Sequence, residues 1–280
     1  MSLTPASDGD RMSAKFRFHP AAPLSSWPLN QRRRIVGVLT DIDDTLTEQG
    51  QPMSEALQAL ERLRAAGLEV IAVTGRPAGW SEPGALAWPL RGIVAENGAV
   101  ALCRDAQGHL AKAWLQSQPE RQANFERLQA AAADVLSQLP QARLATDSAG
   151  RETDIAIDHA EHASLEPADM DRVCAILRRH GLTVTVSSIH INGWIGEHHK
   201  WIGAQWAVRL WLGRDLAHEI DQWVYIGDSA NDEIMFRHCT HSVAVANIAP
   251  YWGKLHHFPR FVTAGQRGIG FAELTNALLG

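Results

Sequence analysis

The sequence predicts an α/β protein built on a parallel sheet, with an α+β unit inserted into it. Three observations predict this. Three short apolar runs, Ile35 to Leu39, Leu68 to Val73 and Trp223 to Ile226, read as buried strands. Each is followed by hydroxyl or carboxylate residues, as strands are at the ligand-binding edge of an open α/β sheet. Between the second run and the third lies far more chain than one helical crossover requires.

In order along the chain, residues 1–33 are rich in Ala, Ser and Pro and show no period, so they are expected to be a flexible tail. Arg32-Arg33-Arg34 reads as a solvated basic run. The first strand ends at Asp41-Ile42-Asp43-Asp44-Thr45. Carboxylates two residues apart are costly to crowd unless a cation or a reaction needs them. One could be a nucleophile and the other a general acid, with a divalent metal between them; the alternative is a plain acidic turn. One helix, Ser54 to Ala66, fills the chain before the second strand, which ends at Thr74-Gly75-Arg76-Pro77. Ile93 to Val100 reads as a hairpin, with Asn97-Gly98 suited to a tight type I′ turn.

The inserted stretch alternates strand and helix patterns. His109 to Trp114 reads as a strand and Pro119 to Leu139 as a long helix. Glu152 to Asp158 alternates polar with apolar (Thr153, Ile155, Ile157), as a half-buried strand does. Pro167 to His180 reads as a helix closed by Gly181, and Leu182 to Val186 and His190 to Ile195 as strands. Lys200 then opens an apolar-periodic helix, Trp201 to Leu212, and the third strand ends at Gly227-Asp228-Ser229-Ala230-Asn231-Asp232. Strand-end carboxylates and hydroxyls with one nearby Lys are what phosphoryl transfer uses: anion donors, a fixed cation and metal-binding oxygens.

With these motifs in this order, the chain resembles the haloacid dehalogenase (HAD) superfamily, specifically its Mg-dependent phosphatases. Asp41 and Asp43 match the first motif, Thr74 the second, Lys200 the third, and Asp228 with Asp232 the fourth. The resemblance runs from about Arg34 to the C-terminus. It implies a Rossmann-like HAD core over residues 34–103 and 196–280. Only one helix fits between Asp41 and Thr74, so the cap is expected after the second motif, over residues 104–195, as the α+β C2B type. The repeated strand–helix groups and Ile93 to Val100 are similar to the Cof-like subfamily IIB. Ser242 to Asn247 and Gly270-Phe271-Ala272-Glu273 look similar to the branch holding sucrose- and mannosyl-phosphoglycerate-type phosphatases.

The resemblance implies roles for these residues. Asp41 attacks phosphorus and becomes an aspartyl phosphate. Asp43 protonates the leaving group and then activates water. Thr74, Gly75 and the backbone after Asp41 hold phosphoryl oxygens, Lys200 neutralises charge, and Asn231 orients the phosphate or Lys200. Mg²⁺ sits between Asp41, the main-chain carbonyl of Asp43 and Asp228, with Asp232 behind them. The implied function is Mg-dependent hydrolysis of a small sugar phosphate or related metabolite. A phosphomutase on the same nucleophile and a non-catalytic ligand-binding protein are the alternatives. A dehalogenase would have no use for Asp43. Two departures stand out: Asp44 occupies a position that is often Gly, and Trp201 follows Lys200 where Gly is common.

For substrate contact the candidates are Arg76, Glu96, Asn97, His190, Asn192 and Glu197. His190 and Asn192 share strand parity and hence a face. That face either looks down on the site or is simply exposed. Ile189, Ile191 and Trp194 are assigned to the core of the inserted unit. His198-His199 and His256-His257 read as surface histidines, because adjacent side chains on one element diverge.

The resemblance implies a small phosphorylated metabolite as partner, and composition argues against two other classes. A net charge of -5 gives no electrostatic case for nucleic acid or an acidic membrane. Cys103, Cys174 and Cys239 are scattered and odd in number, which fits a reducing cytoplasm and no thiolate metal site. No run approaches the length needed to span a bilayer, and the N-terminus lacks the order of a secretory signal. Monomer and dimer both remain open.

Overall fold

The computed structural model describes residues 21–280. Its main sheet has nine strands. In chain order these are β1 (Ala22–Pro23), β2 (Gly37–Thr40), β5 (Glu69–Val73), β6 (Gly92–Ala95), β7 (Val100–Arg104), β8 (Leu110–Trp114), β13 (Trp223–Gly227), β14 (His241–Ala244) and β15 (Phe261–Val262). A flap of β3 (Thr47–Glu48) and β4 (Gln51–Pro52) follows β2. The spatial order is β1-β15-β14-β13-β2-β5-β6-β7-β8. The sheet is parallel from β1 through β6 and closes with antiparallel β7 and β8.

Both faces of this sheet are covered, which is why its strands read as continuous apolar runs. The helices are α1 (Leu29–Arg32), α2 (Ser54–Ala65), α3 (Ala78–Ala87), α4 (Gln118–Gln138), α5 (Pro167–Arg179), α6 (Lys200–Leu212), α7 (Glu233–His238) and α8 (Arg267–Leu279). Val38, Val70, Ala72, Val224 and Ile226 point to one core with Leu60, Leu63, Phe271 and Leu274 of α2 and α8. Their strand neighbours Leu39, Ile71, Val73, Trp223 and Tyr225 point to the other, with Ala204, Val208 and Phe236 of α6 and α7. Because β2 sits between β13 and β5, the ends of all three strands converge on one edge.

The inserted unit is a four-stranded antiparallel sheet, β11-β12-β10-β9, made of β9 (Arg143–Leu144), β10 (Asp154–Asp158), β11 (Thr183–Val186) and β12 (His190–Trp194). With α4 and α5 it has its own core, including Leu128, Val135, Ile157, Val173, Leu177 and Ile191. Ser117 and Glu120 start α4 with a reciprocal capping box. Gly181, at φ 77°, ends α5.

Four expectations need correction. Residues 21–33 are folded rather than tail-like: β1 pairs with β15, and Trp27, 1% exposed, stacks on Phe261. One indole of that size covers enough apolar surface to fix a short segment. The rest of the expected tail, residues 1–20, lies outside the described residues. Strand β8 belongs to the main sheet and not to the cap, because Asp105 accepts from the amides of Gln107 and His109 and turns the chain straight back onto β7. The β6–β7 connection is a four-residue loop, with Ala95 opposite Val100, and not a two-residue turn. Glu96, Asn97 and Gly98 all have positive φ there, and Gly98 passes so close to α6 that a Cβ would lie 2.6 Å from the His199 carbonyl oxygen. Finally, Trp194 shares the parity of His190 and Asn192 and lies outside the cap core, bonded instead to the His198 carbonyl. Ile189 is outside that core too, lining the cleft above Asp43. Among the described residues no helix is long and apolar enough to cross a membrane.

Candidate active site

Asp41 follows β2, and its amide bonds the Ile226 carbonyl of β13. Lys200 is the first residue of α6, whose N-terminus is capped by the His199 ring. The ammonium of Lys200 is buried and donates to Asp41 Oδ1 at 2.6 Å and to Asp232 Oδ1 at 2.7 Å. Tyr225 of β13 also donates to Asp232 Oδ1, while Asp232 Oδ2 accepts from the amides of Asp228 and Ser229. Asp232 is thereby saturated: it orients Lys200 and the turn carrying Asp228. Close packing fixes α6. A Cβ on Gly203 would lie 2.4 Å from the Gly98 Cα.

Asp41, Asp228 and Asp232 bring carboxylate oxygens within 4.8 Å of one another, all buried, against the one ammonium of Lys200. Burial pushes the Asp41 carboxyl up to about 8, with Lys200 pulling it back and Asp232 and Asp43 adding to the rise. Burial, then Asp232 and Asp41, raise Asp228 well above the carboxylate range. Burial alone would lower Lys200, but Asp232 and Asp41 outweigh it and raise it. Asp228 Oδ1 is buried with no hydrogen-bond partner, and Oδ2 receives only a long contact, 3.4 Å, from Asn247. Excess buried negative charge and an orphaned carboxylate oxygen fit a divalent cation held by Asp41 and Asp228. A hard ion with oxygen ligands would reverse both pKa rises.

Asp43 lies two residues beyond Asp41. Arg76 grips it, with Nε 3.0 Å from both carboxylate oxygens and Nη2 2.9 Å from Oδ1. The same guanidinium, 3% exposed, reaches the cap at Asp147 and Glu161 and lies over the Trp80 ring. Burial raises the Asp43 carboxyl and Arg76 opposes it. Glu161, against the effect of burial, is held at about 2 by its hydrogen bonds from His190 and Arg76. Thr74 is buried and its hydroxyl accepts the Arg76 amide. Gly75 offers its carbonyl to Asn192 and to Arg151 of the cap.

Asp41, Asp43, Thr74, Gly75, Arg76, His190, Asn192 and Asn231 line one small space of about 10 Å³. Such a space takes about one water. Anything larger therefore needs the cap to lift. Outside it, a cleft of about 510 Å³ opens over Asp43, Arg76, Glu161 and Arg267. Asn97 does not line the small space; it donates to Asp154 and joins cap to core. Glu96 does the same more strongly, its buried carboxylate accepting from Ala78 N, Glu152 N, and Thr153 N and Oγ1. Glu197 is exposed in the linker, away from the site. His198, read as a surface residue, is buried at 4% exposure because the linker folds under Trp194.

Glu161, Asp147, Arg151, Asp154, Tyr225 and Asn247 were not legible in the sequence as site residues. Asp154 and Asp158 had a signal: they alternate with Ile155 and Ile157, so they face away from the cap core. Asp44 is explained. It has φ 53°, a conformation that favours Gly, and its charge pairs with Arg267 at 2.8 Å.

A haloacid dehalogenase-like hydrolase family model matches residues 38–122. No curated protein sequence matches the chain. Among solved structures, a Thermoplasma acidophilum protein is 17% identical at a TM-score of 0.65, covering 88% of this chain and 98% of its own. The sucrose-phosphatase of Synechocystis, solved with sucrose and phosphate, is 16% identical at 0.61, covering 88% and 98%. A haloacid dehalogenase-like hydrolase from B. subtilis is 16% identical at 0.57, covering 86% and 99%. The chain shares the fold of these solved structures, a main sheet with an inserted cap, and only its residues 38–122 match the haloacid dehalogenase-like hydrolase model.

Proposed function

We propose that the protein is a phosphatase that hydrolyses a small phosphomonoester through an aspartyl phosphate on Asp41. One observation carries the reading: buried Asp41 is bonded to buried Lys200 beside Asp228, whose oxygen lacks any partner. Asp41 and Asp228, with the main-chain carbonyl of Asp43, would hold Mg²⁺, which when bound offsets the charge on the phosphoryl oxygens. Lys200 aims the Asp41 carboxylate and opposes the pKa rise that burial causes, so that with a cation bound it is ionised and can attack phosphorus. The Thr74 hydroxyl and Asn231 amide are placed to receive phosphoryl oxygens. Asp43 gives a proton to the leaving oxygen and takes one from the water that cleaves the acyl phosphate. For that, Arg76, which bridges Asp43 to Asp147 and Glu161 of the cap, must release Asp43. The cleft's size and polar lining suit a sugar phosphate or similar metabolite. Free Cys103, Cys174 and Cys239 support a reducing, cytoplasmic setting.

The test is phosphate release from a panel of phosphorylated metabolites and an aryl phosphate, with Mg²⁺ and with chelator. Mg-dependent release strongest for sugar phosphates is expected. No release from any ester, the aryl phosphate included, would overturn the reading.

A further inference from the structure

Four hydroxyls among the described residues, Thr45, Ser81, Thr185 and Ser188, are shut off from solvent and have no hydrogen-bond partner. Only Ser188 also lines the small space over Asp41. It sits at the tip of the β11–β12 hairpin of the cap, and everything around it is tied down. Ser187 Oγ accepts from the amides of Ile189 and His190. The Ser187 carbonyl bonds His159 Nε2 at 3.1 Å, and the Ile189 carbonyl accepts the amides of His159 and Ala160. Across the same space, the Asn231 Oδ1 accepts from Ser229, which leaves its amide nitrogen turned to other partners. Burying an unpaired hydroxyl is unfavourable, so a rigid hairpin that presents one over the nucleophile points to a missing partner.

We propose that Ser188 is a substrate-contacting residue supplied by the cap: its hydroxyl bonds a phosphoryl oxygen when the cap closes on the ester. This rests on the phosphatase reading. The hairpin tip then completes the phosphoryl site from above, while Thr74, Lys200 and Asn231 serve it from below. Cap closure becomes part of phosphoryl binding itself, for every ester, whatever its leaving group.

The experiment compares wild type, Ser188→Ala, Ser188→Thr and the control Thr185→Val. It reads kcat/KM on an aryl phosphate, inhibition by orthovanadate, and melting of the free protein. Ser188→Ala is expected to lose about tenfold in kcat/KM and in orthovanadate affinity, the effect of one hydrogen bond. Its melting temperature should hold or rise, because an unpaired buried hydroxyl has gone. Ser188→Thr should keep most of the activity, and Thr185→Val all of it. Wild-type kinetics and orthovanadate affinity in Ser188→Ala would overturn the assignment and leave the phosphatase reading intact. So would a lower melting temperature with unchanged orthovanadate affinity. A wild type that neither turns over the ester nor binds orthovanadate would overturn both.

Discussion

Asp44 holds a backbone conformation that favours glycine. Its backbone is left-handed at φ 53°, and Arg267, itself at φ 49°, takes up its charge. Replacing Asp44 by Gly or by Ala removes that ion pair in both cases, so the difference between the two isolates the backbone term. Asp44→Ala should be less stable than Asp44→Gly by about 1 kcal/mol in urea unfolding. Equal stability would mean that the turn relaxes. His198 acts on stability through its charge. Burial, and then His199, lower its pKa to about 4. Its unfolded value is near 6.5, so the unfolded chain binds the extra proton first. Its contribution is complete above pH 6.5 and is lost as pH falls towards 4, by roughly 3 kcal/mol. Melting curves from pH 7 to 4 should show this decline, and His198→Gln should flatten it.

Elements, more than single residues, hold the site together. Helix α6 carries Lys200, and the β6–β7 loop carries Glu96 and Asn97; the two meet at Gly203 and Gly98. A Cβ at position 203 has no room, so Gly203→Ala should push the helix off the loop. The expected result is a loss of about 2 kcal/mol in stability and at least tenfold in kcat, since Lys200 moves with the helix. Unchanged kcat would show that Lys200 adapts through its side chain. On the other side of the loop, Glu96 is the acceptor for three amides and a hydroxyl. Glu96→Ala leaves these donors in a buried seam and should cost about 3 kcal/mol, measured by thermal or urea unfolding. A smaller effect would mean that water enters the seam between cap and core.

At the scale of the whole molecule, what was legible in the sequence divides along physical lines. Strands β2, β5 and β13 read clearly because both sheet faces are covered and their buried residues are mostly apolar. Strand β15 is only two residues long, and α3 carries Pro83 inside it, so neither leaves a clear pattern. Asp41, Thr74, Lys200 and Asp228 were legible because each hangs on the end of its own strand or the start of its own helix. Glu161, Asp147 and Ser188 were not, since only the seating of the cap on the core brings them to the site. That seating also leaves about 10 Å³ over Asp41, so the proposed chemistry requires the cap to open and close. The central claim, covalent catalysis by Asp41, is tested most directly by trapping. An aryl phosphate needs little help from an acid, so Asp43→Asn should still be phosphorylated but should lack the base that clears the intermediate. Intact-mass spectrometry of this variant, mixed with aryl phosphate and Mg²⁺, should show one added phosphoryl group, lost in Asp41→Asn/Asp43→Asn. Phosphate release by Asp43→Asn without any adduct, or an adduct that persists in the double variant, would contradict the account.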